Sequence, residues 1–202
     1  SKAGITTALG SLGHVASSLG DNLTARDYYE KQLALDEEMG RKDGIANAMG
    51  SLGYVAFSLG DYSAARGYYE KQLTLGEELG SKAGIAYAFR GLGDLASSLG
   101  DYPAARSYYE KQLTLEEKMG NKNGLAFAFG GLGDVASSLG DYPTAHDYYE
   151  KQLALEEELG SKAGIASAFF NLGNIACSLG EHKIAREYYE KKLAIDKDLG
   201  RK

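Results

Sequence analysis

One period governs the sequence. A forty-residue unit, typified by SKAGIAYAFRGLGDLASSLGDYPAARSYYEKQLTLEEKMG at 81–120, recurs five times in unbroken register, at 1–40, 41–80, 81–120, 121–160 and 161–200. Arg201-Lys202 then repeats Arg41-Lys42, the opening of the second copy, and reads as the start of a further unit. Self-similarity at a constant spacing of 20 to 50 residues marks a repeat architecture. The length of 202 residues alone would suggest one or two globular domains. The period predicts instead a single array over 1–202, in which each unit buries its apolar face only by stacking on its neighbours.

Each unit reads as two helices. In the third copy Ser81 is a good N-cap, as are Asn121 and Ser161 in the next two. Apolar and small residues follow at helical spacing: Ile85, Ala88, Phe89, Leu92, Ala96 and Leu99. Gly100 is expected to close the helix in the left-handed conformation. After the turn at Asp101-Tyr102, Pro103 and Pro143 sit where a helix begins and the missing N–H costs nothing. The second helix carries Ala105, Tyr108, Tyr109, Leu113, Leu115 and Met119. Short loops make the two helices antiparallel. Gly93, with Gly13, Gly53, Gly133 and Gly173, lies mid-helix, where glycine costs about 1 kcal/mol relative to alanine. Close approach of the paired helix is the expected compensation, with Ala25, Ala65, Ala105, Ala145 and Ala185 as the matching small positions. The paired tyrosines of each copy are expected to divide between the inter-helix core and the inter-repeat seam.

Leu92-Gly93, Gly100-Asp101-Tyr102, Ala105, Tyr109, Leu113 and Leu115 together resemble the tetratricopeptide repeat pattern, five times over and across the whole chain. Two departures stand out. The usual small residue three places after the aromatic is Gln32, Gln72, Gln112, Gln152 or Lys192, and the usual terminal proline is Glu or Lys in a unit six residues longer. This extended form, with its Gly-x-Ala-x-Ala lead-in, is similar to the repeats of Pins-type adaptors, kinesin light chains and bacterial regulatory arrays. The resemblance implies an all-α fold, an α-solenoid of five antiparallel helix pairs forming a right-handed superhelix. Its concave groove would be lined by first helices and hold peptides or extended protein segments.

The copies differ from one another chiefly at four places on the first helix. These are Thr7/Asn47/Tyr87/Phe127/Ser167, Gly10/Gly50/Arg90/Gly130/Phe170, His14/Tyr54/Asp94/Asp134/Asn174 and Ser17/Phe57/Ser97/Ser137/Cys177. Their spacing of 3, 4 and 3 is one helical stripe, which the resemblance places on the concave wall. A drifting solvated face would gain Lys, Glu and Gln; this one gains large aromatics, as a partner-binding surface does. The candidate groove residues are Asn47, Tyr54, Phe57, Tyr87, Arg90, Asp94, Phe127, Asp134, Phe170 and Asn174. The partner expected is a peptide or protein segment with apolar anchors and a basic residue near Asp134. Arg90 and Asp94 are spaced to pair with each other. The basic residues that clamp a chaperone's C-terminal carboxylate, and the arginines of the Pins-type groove, have no counterparts here.

Other chemistry is not indicated. His14, His146 and His182 lie in different units without metal-ligand spacing, and no phosphate loop follows a strand pattern, so neither a cofactor nor a catalytic role is expected. Cys177 stands alone, so there is no disulfide framework; a cytoplasmic setting is consistent with this. The net charge of −6 argues against a nucleic-acid partner. No apolar run approaches a membrane span and no leader is visible, although a sequence starting and stopping on unit boundaries reads as an excised fragment. Acidic runs such as Asp36-Glu37-Glu38 and Glu156-Glu157-Glu158 are expected on a solvated convex face. The outer units lack polar caps, with Leu193, Ile195 and Leu199 facing outward, which predicts self-association through the ends. The function these features favour is a non-enzymatic interaction scaffold. The alternatives are a regulatory sensor arm of a larger multidomain protein and a self-assembling structural array.

Overall fold

A computed structural model describes residues 1–200; the proposed start of a further unit at Arg201-Lys202 lies outside the described residues. Ten helices and no strands occur among them: α1 (Lys2–Ser18), α2 (Asn22–Glu38), α3 (Lys42–Ser58), α4 (Tyr62–Leu79), α5 (Lys82–Ser98), α6 (Tyr102–Met119), α7 (Lys122–Ser138), α8 (Tyr142–Leu159), α9 (Lys162–Ser178) and α10 (His182–Asp198). The architecture is an all-α solenoid. The helices fall into two compact units, Ser1–Leu99 with α1–α5 and the remainder from Gly100 with α6–α10. In the first unit α1 packs on α2, α2 on α3, α3 on α4 and α4 on α5, while α1, α3 and α5 also touch in series. In the second, contacts run α6–α7, α7–α8, α8–α9 and α9–α10.

Local chemistry sets the helix boundaries. Ser81 and Ser161 accept from the backbone N–H of Gly84 and Gly164 at 3.2 Å, capping α5 and α9. The turn aspartates cap the second helices: Asp21, Asp61, Asp101 and Asp141 each accept from the N–H three residues on, at 3.0–3.3 Å. Asn121 departs from the expectation. It makes no cap bond, and its Nδ2 instead donates to Glu116 Oε2 at 2.8 Å. Gly100 is left-handed as expected, with φ +76°. Lys2, Lys42 and Lys122 reach 36 residues ahead to Glu38, Glu78 and Glu158 at 2.5–2.8 Å, and Lys162 does the same to Asp198. These exposed pairs tie the two ends of a repeat together for at most about 1 kcal/mol each.

The core is built on small residues and one aromatic ring. Ala25, Ala65, Ala105 and Ala145 are fully buried. The mid-helix glycines do mark a close approach, but what approaches is a ring rather than a helix backbone. A Cβ on Gly53 would stand 2.6 Å from Tyr69 Cε1, and Gly13, Gly133 and Gly173 meet Tyr29, Tyr149 and Tyr189 in the same way. The other side of the Tyr69 ring lies against Gly91 of α5, and Tyr109 lies against Gly131 of α7. One tyrosine of each pair therefore serves both the inter-helix core and the seam. The other is half-buried on the outside, where Tyr148 stacks on Phe129 and Tyr188 lies tilted against Phe169, each under a lysine ammonium.

The acidic runs are not uniformly solvated. Glu37, Glu38, Glu157 and Glu158 are exposed. Asp36, however, is 1% exposed and Glu116 is buried. Their carboxylates lie over Gly44 and Gly124 at the start of the following first helix. Burial there needs compensation. Arg41 Nη1 stands 3.7 Å from Asp36 Oδ1, and Asn121 donates to Glu116.

Candidate peptide-binding surface

In the first unit the variable faces of α1, α3 and α5 carry two connected recesses. One, of about 470 Å³, is bordered by Thr7, Gly10 and His14 of α1 with Gln32 and Asp36 of α2. The other, of about 510 Å³, lies between α3 and α5 above Gln72 and Gly76 of α4, with Tyr87 on its wall. Asn47 borders both. Tyr54 is exposed (46%). The Arg90 guanidinium sits over the Tyr87 ring, 4.9 Å from its centroid. Burial pushes the Tyr87 hydroxyl up from its ordinary pKa, and the charge of Arg90 works against that shift. Burial likewise raises Tyr69, reinforced by Tyr87 and Asp94. Tyr54, Tyr69, Tyr87, Arg90 and Asp94 thus form one electrostatic group. Phe57 is half-buried and turns toward the α4 end, its ring 5.7 Å from that of Tyr62.

In the second unit Phe127 (57%) and Phe170 (45%) are large exposed aromatics. Phe170 is also tilted against Tyr189 and lies under the Lys192 ammonium. Asp134 and Asn174 have a structural duty that the sequence reading did not foresee. Each accepts a hydrogen bond from the seam tyrosine of its own repeat, Tyr149 to Asp134 at 2.7 Å and Tyr189 to Asn174 at 2.8 Å. Burial of its carboxyl raises the Asp134 pKa, and the tyrosine hydrogen bond partly offsets this.

The glutamine that replaces the usual small residue was legible as a departure but not as a participant. Gln32, Gln72 and Gln152 press on Gly10, Gly50 and Gly130 of the variable stripe. Where that glycine becomes Phe170, the glutamine becomes Lys192, whose ammonium lies 5.9 Å from the ring centroid and donates to Asp196 at 2.5 Å. The stripe and the glutamine column therefore change together in the fifth copy.

Little else in the surface points to catalysis or metal chemistry. Among the described residues no group of three potential metal ligands occurs, and no helix is long and apolar enough to cross a membrane. Cys177 and His182 share a recess of about 300 Å³ with Tyr189, whose hydroxyl is 3.8 Å from the cysteine sulfur.

A tetratricopeptide repeat profile matches residues 4–78, 44–118, 84–158 and 125–198. The chain belongs to the tetratricopeptide repeat family. This makes it a repeat scaffold of the kind used for protein interaction. Among curated proteins none matches it in sequence. Several solved structures share the fold. BtubC (BKLC) from P. vanneervenii matches with a TM-score of 0.81 at 20% identity, covering 95% of this chain and 80% of that one. A Rap protein complexed with Competence and Sporulation Factor matches with a TM-score of 0.85 at 17% identity, covering 93% of this chain. The Rap conjugation gene regulator of plasmid pLS20, in complex with the Phr* peptide, matches with a TM-score of 0.82 at 15% identity over 95% of this chain. The chain spans about half of each Rap protein (53%).

Proposed function

We propose that this tetratricopeptide repeat chain is a non-catalytic scaffold that binds a peptide or extended protein segment along the first-helix face of each unit. The observation that carries the reading is the pairing of exposed aromatics with open recesses on that face. Tyr54 and Tyr87 accompany two recesses that meet at Asn47, and Phe127 and Phe170 stand exposed in the second unit. Such aromatics favour apolar anchors in the partner. Asp134 adds a site for a basic side chain, engaged as it is by a single tyrosine hydroxyl. The Rap structure with the Phr* peptide supports a peptide as partner through likeness of fold.

Selection of a displayed random-peptide library on the immobilised chain tests this. Peptides with apolar anchors are expected, and Tyr87→Ala and Phe127→Ala are each expected to weaken them about tenfold, the loss typical of a buried aromatic hot spot. Selected peptides that bind the double-alanine variant as well as wild type overturn the reading. A second reading, self-association, is favoured by the exposed Ile5, Leu12 and Val15 of α1 and Leu193 of α10.

A further inference from the structure

One position differs among the copies in a way that opens a recess. Asp36, Gly76, Glu116, Glu156 and Asp196 occupy the same place in successive repeats. Where an acid is present its carboxylate covers the glycine that starts the next first helix. A Cβ on Gly44, Gly124 or Gly164 would lie 2.0–2.6 Å from the Asp36, Glu116 or Glu156 carboxylate atoms. At the second seam the acid is Gly76, and a Cβ on Gly84 would meet only Ser81. The space so vacated is part of the recess of about 510 Å³ between α3, α4 and α5.

The missing acid also strands a buried polar group. Gln32 Nε2 donates to Asp36 Oδ2 at 3.4 Å. Gln72 has no such partner four residues on. It is 4% exposed, lines the recess, and its Oε1 has no hydrogen-bond partner. An unpaired buried acceptor costs about 1–3 kcal/mol. The torsion that orients the amide is soft, so either end can turn to the recess.

Charge decides what fits. The flanking seams supply Arg41 and Asn121 to their buried acids, but the equivalent residue here is Ser81. The lining contains no cation and one carboxylate, that of Asp43. An anion entering would find no countercharge and would leave Oε1 without a donor. A primary carboxamide has both kinds of group: its N–H₂ can donate to Gln72 Oε1 and Asp43, while its oxygen accepts from Gln72 Nε2. We infer that the recess formed by Gly76, Gly84 and Gln72 binds the side-chain carboxamide of an asparagine or glutamine in the bound segment. This rests on the peptide-binding reading and specifies one subsite of it.

The test uses small probes, so that it stands apart from the library selection. The full chain, labelled with ¹⁵N, is titrated at neutral pH with acetyl-glutamine N-methylamide, acetyl-asparagine N-methylamide and acetyl-glutamate N-methylamide. Concentrations run to about 100 mM, because so few atoms give only weak binding. Saturable shifts of the Gln72 side-chain amide and the Gly84 N–H are expected with a carboxamide probe. The glutamate probe should bind at least about tenfold more weakly, since it leaves the acceptor unpaired. Whether glutamine or asparagine shifts more identifies the side-chain length the recess takes. Gln72→Met and Gly76→Asp, one removing the amide and the other refilling the space, should each abolish the shifts. The inference is overturned by no saturable shift with either carboxamide, by glutamate binding as well as glutamine, or by shifts that persist in Gln72→Met. If peptides selected on the chain still bind while the probes fail, the subsite is wrong and the peptide surface stands.

Discussion

Substituting Gly53 by alanine tests the ring-and-glycine seam directly. In an exposed helix this change stabilises by about 1 kcal/mol, because alanine is the better helix former. At Gly53 the new Cβ would stand 2.6, 2.8 and 3.0 Å from three atoms of the Tyr69 ring. The ring cannot retreat, because its other side is closed by Gly91, where a Cβ would stand 2.4 Å away. Overpacking of this kind costs about 1–3 kcal/mol, and confinement on both sides places it toward the upper end. The net expectation is destabilisation by about 1–2 kcal/mol. Gly67, inside α4, is the internal control: a Cβ there meets nothing within 4 Å. Gly67→Ala should therefore stabilise by about 0.5–1 kcal/mol. Urea unfolding followed by far-UV circular dichroism, with midpoints compared at a common slope, reads both. In a Tyr69→Ala background the Gly53→Ala penalty should vanish, since its cause is the ring. A Gly53→Ala midpoint at or above wild type, with Gly67→Ala raised as expected, refutes the packing argument.

Other outcomes follow from named contacts. Asp134 has a raised pKa in the folded chain, so the fold holds its proton above the ordinary value of 3.8 and loses stability as pH rises through that window. Asp134→Asn, which copies the Asn174–Tyr189 pair, should remove that slope and raise the neutral-pH unfolding midpoint; an unchanged pH profile contradicts it. Asp61→Ala deletes the α4 cap and should cost about 0.5–2 kcal/mol in the same urea assay. A double-mutant cycle on Phe170→Gly and Lys192→Gln should show a favourable coupling of about 0.5–1 kcal/mol between the native residues, and strict additivity would mean that the ring and the ammonium are independent. Sedimentation velocity across a hundredfold concentration range should show association reversed by Val15→Lys with Leu193→Lys; a single monomeric species throughout rules out self-association through these faces.

The period made the helices, their order and their boundaries legible, because caps, left-handed glycines and apolar spacing are local signals repeated five times. Less visible was what each constant position touches. Gly53 read as a marker of close approach, but nothing in α3 alone says that the neighbour is the Tyr69 ring from the next helix. The acidic runs read as solvent-facing by composition, although Asp36 is buried through a seam contact with a residue of the following repeat. Asp134 and Asn174 stood out because they vary, and part of that variation is a choice among acceptors for a tyrosine hydroxyl. The Gly76 recess had a signal in the sequence, one glycine in a column of acids. Its meaning needed Gln72 beside it.

The ring of Tyr69 belongs to the second copy and one of its two glycines to the third; Tyr109 and Gly131 repeat the relation between the third and the fourth. Unequal crossing-over that removes or inserts a whole forty-residue unit between such copies rejoins a tyrosine to a glycine already shaped for it. Copy number can then drift in a lineage without any refitting of the joints, whereas a break placed inside a unit separates ring from socket and leaves a product that folds poorly.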